Sequence, residues 1–434
     1  MQKKNKFKTG QFSRINKLGS SILRASVKIA SEKIKNIDPE NLIGKIKASK
    51  EIIETMGELK GGFMKLGQMI SITEDLILPP EISSLFKTLQ KSAPGMNNQD
   101  LEMMFMDSFQ KIPEEIFKSF NRKPIAAASI GQVHEAWLPN GIKVAVKVQY
   151  PKIKNAIIND FKNMNKLKSV LLLLFPKLPN IDNYLEEMKS SIIKECDYHI
   201  EAKNIIWFRE NVMPKIENLY IPKVFEEFSS NTILTMEFVT GDPIEIAKTY
   251  PQKDRNIIGQ CLYDIHMLCL YELMNVHTDP QNGNYLFTPE KIILLDFGSI
   301  KSFPTEFMTK YIGLIQSIES KDFDSYREII QQLGFLTQED DIDLIKEHFK
   351  IISNLYLPYT NEGVYGVDKR NPFKMIEGFI KSVDLKGRQT PREEFVLLDR
   401  ANLGLYTKLK YLESEIDWYT SKHIAWKNFK LAQN

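Results

Sequence analysis

The sequence predicts an α+β chain, with a small strand-rich part between helical stretches and a larger helical part after it. Three observations predict this. Apolar residues recur at spacings of three and four over most of the chain. Around Pro124 the period changes, and Ile125 to Trp137 and Ile142 to Gln149 read as strands joined by the turn Pro139-Asn140-Gly141. Beyond residue 240 the helical period returns, broken by one short apolar strand at Ile292 to Leu295.

Composition bounds the answer. A chain of 434 residues is long enough for two or three packed units. Hydrophobic residues at 43% and charged residues at 26% are ordinary for a globular protein and exclude a disordered or collagen-like chain. The 58 basic and 55 acidic residues leave a net charge of +3, so the chain as a whole is not expected to bind nucleic acid. Cys196, Cys261 and Cys269 form neither a CxxC pair nor a zinc spacing, and read as free thiols in a reducing compartment. The most apolar run, Val170 to Phe175, is far short of the roughly 20 residues a spanning helix needs. The N-terminus lacks a secretory h-region. An intracellular, cytoplasmic protein is expected, with any membrane role peripheral.

The first element is lopsided. Eight Lys and Arg residues, from Lys3 to Lys28, precede the first acid, Glu32. Phe12, Ile15, Leu18, Ile22, Ala25 and Ile29 form a stripe at helical spacing. This basic amphipathic helix either lies on an anionic membrane surface or packs on the protein's own core. A transit peptide is a third reading, weakened by the bias to Lys over Arg. Helical patterning continues from Leu42 to about Ser108, punctuated by Gly61-Gly62 and Pro79-Pro80. After the two strands it returns from Asp160 to about Asn211. Short strands follow at Ile221 to Phe225 and Thr232 to Phe238, and a helix at Thr305 to Ile318.

Three motifs carry chemistry. In Val144-Ala145-Val146-Lys147-Val148, alternation puts the valines on one face and Ala145 with Lys147 on the other. The small Ala leaves room for a flat ligand beside the ammonium, as in the V-A-I-K strand of kinases. In His277-Thr278-Asp279-Pro280-Gln281-Asn282-Gly283-Asn284, Asp and Asn stand five apart, as in H-R-D-x-x-x-x-N. Asp279 can orient an attacking hydroxyl, and Asn284 can ligate magnesium. Asp296-Phe297-Gly298 follows the apolar strand and puts a carboxylate at a strand end, suited to a metal that bridges phosphates. Each motif alone reads equally as a solvated Lys or an ordinary turn. The set in order does not.

Supporting residues follow. Glu195, Asp197 and Glu201 lie on one helical stretch. Asp197 and Glu201 are four apart and share a face, while Glu195 points elsewhere on a regular helix, so Glu201 is the expected partner of Lys147. Thr235 to Gly241 reads as a hinge whose backbone at Met236, Glu237 and Phe238 would bond adenine. Departures are equally informative. Ala126-Ala127-Ala128-Ser129 stand where G-x-G-x-x-G is expected, giving a stiffer nucleotide loop. Thr278 replaces the Arg that reads an activation-loop phosphate, and no A-P-E follows. Both argue against a conventional protein kinase.

With Lys65-Leu66-Gly67-Gln68, the alanine-rich loop, Gly131-Gln132-Val133-His134, Glu195-Cys196-Asp197 and Leu397-Leu398-Asp399-Arg400, the sequence resembles the UbiB/AarF family of atypical kinase-like proteins over about Ile43 to Leu412. It departs at Gln281-Asn282, where the family usually has His-Pro. The resemblance implies a bilobal protein-kinase-like fold, with a small β-rich N-lobe, a helical C-lobe and a helical N-terminal extension. The expected divisions are a basic segment 1–40, an extension 41–115, an N-lobe 116–238 and a C-lobe 239–434. It further implies that Lys65, Gly67 and Gln68 of the K-x-G-Q motif pack over the site, held by the E-x-D acids Glu195 and Asp197, and limit transfer to proteins. ATP or ADP with Mg2+ is the implied cofactor pair, bound through Lys147, Glu201, Asp279, Asn284 and Asp296. A lipophilic small molecule, such as a quinone precursor or lipid, is the implied partner, in support of ubiquinone biosynthesis or lipid homeostasis. The implied location is the inner membrane face or, in a eukaryote, an organelle matrix. A nucleotide-gated lipid chaperone or scaffold is the rival reading.

Overall fold

Period-two alternation decides the small sheet. In the computed structural model, which describes residues 96–128, 130–159, 161–162, 182–334, 341–356, 360–367 and 393–433, five antiparallel strands build it. They are β1 (Ser119–Phe120), β2 (Ala126–Ala128), β3 (Gly131–Trp137), β4 (Lys143–Gln149) and, after the short β5 (Leu219–Tyr220) of another sheet, β6 (Ile233–Glu237). The order is β1-β3-β4-β6, with β2 on β3. The basic segment, Lys65, Gly67, Gln68 and Ser129 lie outside the described residues.

The expected single strand Ile125 to Trp137 is a hairpin instead, with Ala128 opposite Gly131. Gly131 meets β4 so closely that a Cβ there would lie 2.2 Å from the Val148 carbonyl oxygen, so only glycine fits. The Pro139-Asn140-Gly141 turn is present, with Gly141 at φ 86°.

Val144, Val146 and Val148 are fully buried on one face of β4. They pack on Leu101, Met104 and Phe105 of helix α1 (Asn98–Phe109), capped by Asn97, whose side chain accepts from the Asp100 amide at 2.8 Å. Each such burial stabilises by about 2 kcal/mol. Gln132 ties this layer to the preceding chain. Its Oε1 accepts from the Met96 amide at 3.1 Å, and its Nε2 donates to His134 Nε2 at 2.8 Å. His134 Nδ1 donates to the Asn121 carbonyl. Gly131 to His134 is therefore a packing and bridging segment.

The second, larger core is mainly helical. Its helices are α2 (Asp182–Glu195), α3 (Tyr198–Asn211), α4 (Gln252–Met267), α5 (Thr305–Glu319), α6 (Phe323–Gln332), α7 (Ile342–Tyr356), α8 (Glu393–Leu412) and α9 (Thr420–Gln433). Four short strands, β7 (Asn275–His277), β8 (Tyr285–Phe287), β9 (Ile292–Leu294) and β10 (Ile300–Ser302), carry the motif loops. β5 pairs parallel to β9, and β9 with β8. The strand expected at Ile221 to Phe225 is reduced to β5 and a lone bridge from Val224 to Met236. Cys196, Cys261 and Cys269 are buried free thiols.

His266 Nε2 donates to Asn402 Oδ1 at 2.8 Å and links α4 to α8. Burial pushes its imidazole down from 6.5 to about 4. The folded state thus favours the neutral ring. That stability is complete above pH 6.5 and is lost as pH falls from 6.5 to 4. The loss is expected to reach about 3 kcal/mol. Denaturant unfolding measured across this range checks it, because His266→Gln should flatten the slope, and an unchanged slope would refute the assignment.

Candidate active site

Lys147 stands on the face of β4 opposite the buried valines, beside Ala145. Its ammonium donates to Glu201 Oε1 at 2.8 Å and Oε2 at 2.9 Å, and to Asp296 Oδ2 at 2.7 Å. The Tyr198 ring lies 5.0 Å beneath it. Burial alone would discharge this lysine. The Asp296 and Glu201 carboxylates outweigh burial and hold its pKa well above the ordinary value.

A helix break places Glu201. α2 ends at Glu195, and Asp197 caps α3, accepting from the His199 amide at 3.0 Å. The Tyr198 amide donates to the Asn231 carbonyl, pinning the start of α3 beside β6. Glu201 then falls in the first turn of α3 and reaches Lys147. The regular helix expected through these acids is thus corrected. The break turns Glu195 toward the site, where its Cγ lies 3.3 Å from a Cβ built on Gly298, and Asp197 serves as a cap. The Lys147 ammonium bonds the Glu201 and Asp296 carboxylates, and the Glu195 charge acts on Glu201. Burial, with the Asp296 charge, pushes the Glu201 carboxyl up to about 7 against the pull of Lys147.

His277 holds the Asp296 backbone. Its Nε2 donates to the Asp296 carbonyl at 2.6 Å, and its Nδ1 accepts from the Asp279 amide at 3.3 Å, which fixes the tautomer. Burial lowers its pKa, so the ring is neutral. Asp296 Oδ1 accepts from the Gly298 amide at 3.0 Å. Phe297 is fully buried, with Phe208 of α3 at 4.9 Å, and its carbonyl accepts from Asn204. Asp296 is thereby aimed at Lys147.

Asn284 Nδ2 donates to the Asp279 carbonyl at 3.0 Å, closing the loop between them. The Asp279 side chain is 4% exposed and pairs with Arg400 of α8 at 2.6 Å. The acceptor-facing position expected of Asp279 is closed in this conformation. Thr278 donates to Ser299 within the core. Sequence reasoning missed His277 and Tyr198 as site residues and saw Arg400 only as part of a family segment. His277 opens the Asp279 motif and could have been found there. Arg400, 121 residues away, carried no local signal.

Elsewhere the expected nucleotide contacts are narrowed. Ala126 and Ala127 are exposed on β2. Met236 is buried, while the Glu237 and Phe238 amides donate to the Lys223 and Lys143 carbonyls. Those two donors are engaged within the protein. Among the described residues no group of three or more His, Cys, Asp or Glu could hold a metal alone.

Lys147→Met should strand Glu201 and cost about 3 kcal/mol. Lys147→Met with Glu201→Met should cost clearly less than the two single changes added. Unfolding of all four proteins checks this, and strict additivity would show that the pair is uncoupled.

Residues 88–330 match the family model described as the ABC1 atypical kinase-like domain. The chain is 30% identical to the probable serine/threonine-protein kinase abkA of Dictyostelium discoideum, over 88% of this chain and 72% of that protein. It is 31% identical to the atypical kinase COQ8, mitochondrial, of Saccharomyces cerevisiae, over 84% of this chain and 74% of that protein. It is also 31% identical to the atypical kinase coq-8, mitochondrial, of Caenorhabditis elegans, over 84% of this chain, but spans only 49% of that protein. The solved complex of Rv3197 with erythromycin from Mycobacterium tuberculosis superposes at a TM-score of 0.60, with 25% identity, over 88% of this chain and 96% of that one. No helix among the described residues is long and apolar enough to cross a membrane.

Proposed function

We propose, from the premise that this chain belongs to the UbiB/AarF family of ABC1 atypical kinase-like proteins, that it is an atypical kinase or ATPase acting in isoprenoid quinone biosynthesis or lipid homeostasis. The observation that carries this is the Lys147–Glu201–Asp296 cluster beside the Asp279–Asn284 loop. An adenine nucleotide would lie between the two parts. Magnesium would supply charge neutralisation between phosphate oxygens. Asp296 and Asn284 would hold it. Lys147, oriented by Glu201, would hold phosphate oxygens. Asp279 would orient the nucleophile, either water or a small lipophilic hydroxyl. The relatives named atypical kinase coq-8 and COQ8, mitochondrial, support this reading and an organelle location. The basic N-terminal stripe supports contact with an anionic membrane holding a lipophilic partner.

One observation favours a second reading. Asp279 is buried against Arg400, closed to an acceptor. A nucleotide-gated lipid chaperone, with slow hydrolysis resetting it, accommodates that closure.

Phosphate release from magnesium ATP, with and without anionic liposomes, is the test. Asp296→Asn should abolish release, a loss of at least about a hundredfold. Deleting residues 1–35 should remove the liposome stimulation and leave basal release. Undiminished release by Asp296→Asn would end the enzymatic reading. Stimulated release with no phosphorylated lipid product would select the chaperone.

A further inference from the structure

Three residues of α8 meet the Asp279 loop from one face of the helix. Arg400, Gly404 and Lys408 are spaced i, i+4 and i+8 and so form one stripe. Arg400 Nη2 donates to Asp279 Oδ1 at 2.6 Å. A Cβ on Gly404 would lie 2.0 Å from Pro280 Cβ and 2.2 Å from its Cγ, so glycine lets the helix press against the proline ring. The buried Lys408 ammonium donates to the Pro280 carbonyl and sits 4.5 Å over the Tyr285 ring. A buried ammonium is costly unless partners surround it. Here the Pro280 carbonyl, the Tyr285 face and the Asp279 charge, all of one loop, partner it, while burial and the Arg400 charge lower its pKa to about 7.

We propose that α8 is a built-in clamp on the Asp279–Tyr285 loop, with Lys408 its positioning residue. The loop itself offers no cation, since Thr278 stands where an arginine is expected and is tied to Ser299. The α8 stripe supplies fixed charge from elsewhere in the chain, so the loop needs no phosphorylated segment to set it. A cavity of about 40 Å³, lined in part by Cys269, His277, Leu405 and Lys408, lies beside the loop and gives it room to shift once the latch is removed. The other side of α8 is anchored independently, through Asn402 to His266 of α4. Loosening the latch therefore frees the loop before it frees the helix.

The clamp rests on the proposed phosphoryl chemistry only for its effect on turnover, so the test reads loop motion separately. Amide hydrogen exchange of the full chain, nucleotide affinity and phosphate release are compared for wild type, Lys408→Met, Lys408→Arg and Lys410→Met, whose parent residue is exposed on α8. Lys408→Met should speed exchange at 279–285 by about tenfold while α4 keeps its protection. It should lower kcat about tenfold and leave the nucleotide Kd within about twofold. Lys408→Arg should restore most of both, and Lys410→Met should match wild type. Exchange in Lys408→Met that equals that of Lys410→Met, or that rises evenly across α4 and the loop, would overturn the clamp. If Lys408→Met does not fold, Gly404→Ala pushes the Pro280 ring directly, and unchanged exchange at 279–285 would refute the proposal. Wild-type protein without turnover would end the enzymatic reading, and the exchange result would still decide the clamp.

Discussion

A single ammonium joins the parts of this molecule. Lys147 comes from the small sheet, Glu201 from a helix 54 residues later, and Asp296 from a strand end 149 residues later. Glu201 cannot sit buried without that cation, and the cation cannot sit buried without its two carboxylates. The strand face, the first turn of α3 and the segment after β9 are therefore fixed relative to one another by one charge. The valines on the opposite face of β4 make the same demand from below, because they lock the strand's rotation against α1.

The geometry around this centre is held by neutral groups. His277 spans the Asp296 carbonyl and the Asp279 amide as an uncharged ring. Phe297 is wedged under α3, and Asn204 secures its carbonyl. The charge at the centre is carried by Lys147, Glu201 and Asp296, with the Glu195 carboxylate close by.

Local pattern made much of this legible. Period two on β4 assigned Lys147 to the site face, and the Asp-to-Asn spacing at 279 and 284 matched a loop that closes through Asn284. The choice of Glu201 over its neighbours followed from helical spacing. The break at Cys196 did not, because Asp197 reads equally as a helix-face acid and as a cap, and only packing against Asn231 decides between them. The hairpin at Gly131 escaped notice because its cause is the carbonyl of Val148, 17 positions along the chain. Gln132 and His134, which in sequence only helped carry the family resemblance, are internal ties. Arg400 and Lys408 were illegible for a plainer reason, since no window of sequence contains both them and Asp279.

That last separation bears on how the protein is made. A chain leaves the ribosome from its N-terminus, and domains tend to fold as they emerge. Lys147, Glu201 and Asp296 are all available well before Arg400 is synthesised. Asp279 must wait 121 residues for its counter-ion. Until then it is a carboxylate facing burial with no guanidinium beside it. The nascent protein can assemble its phosphate-facing centre early, yet its motif loop stays unsettled until α8 has been translated. A message cut short before that helix would lose Phe395, Leu398, Leu409 and Leu412 of the larger core together with the latch, and leave apolar surface for quality-control proteases to recognise.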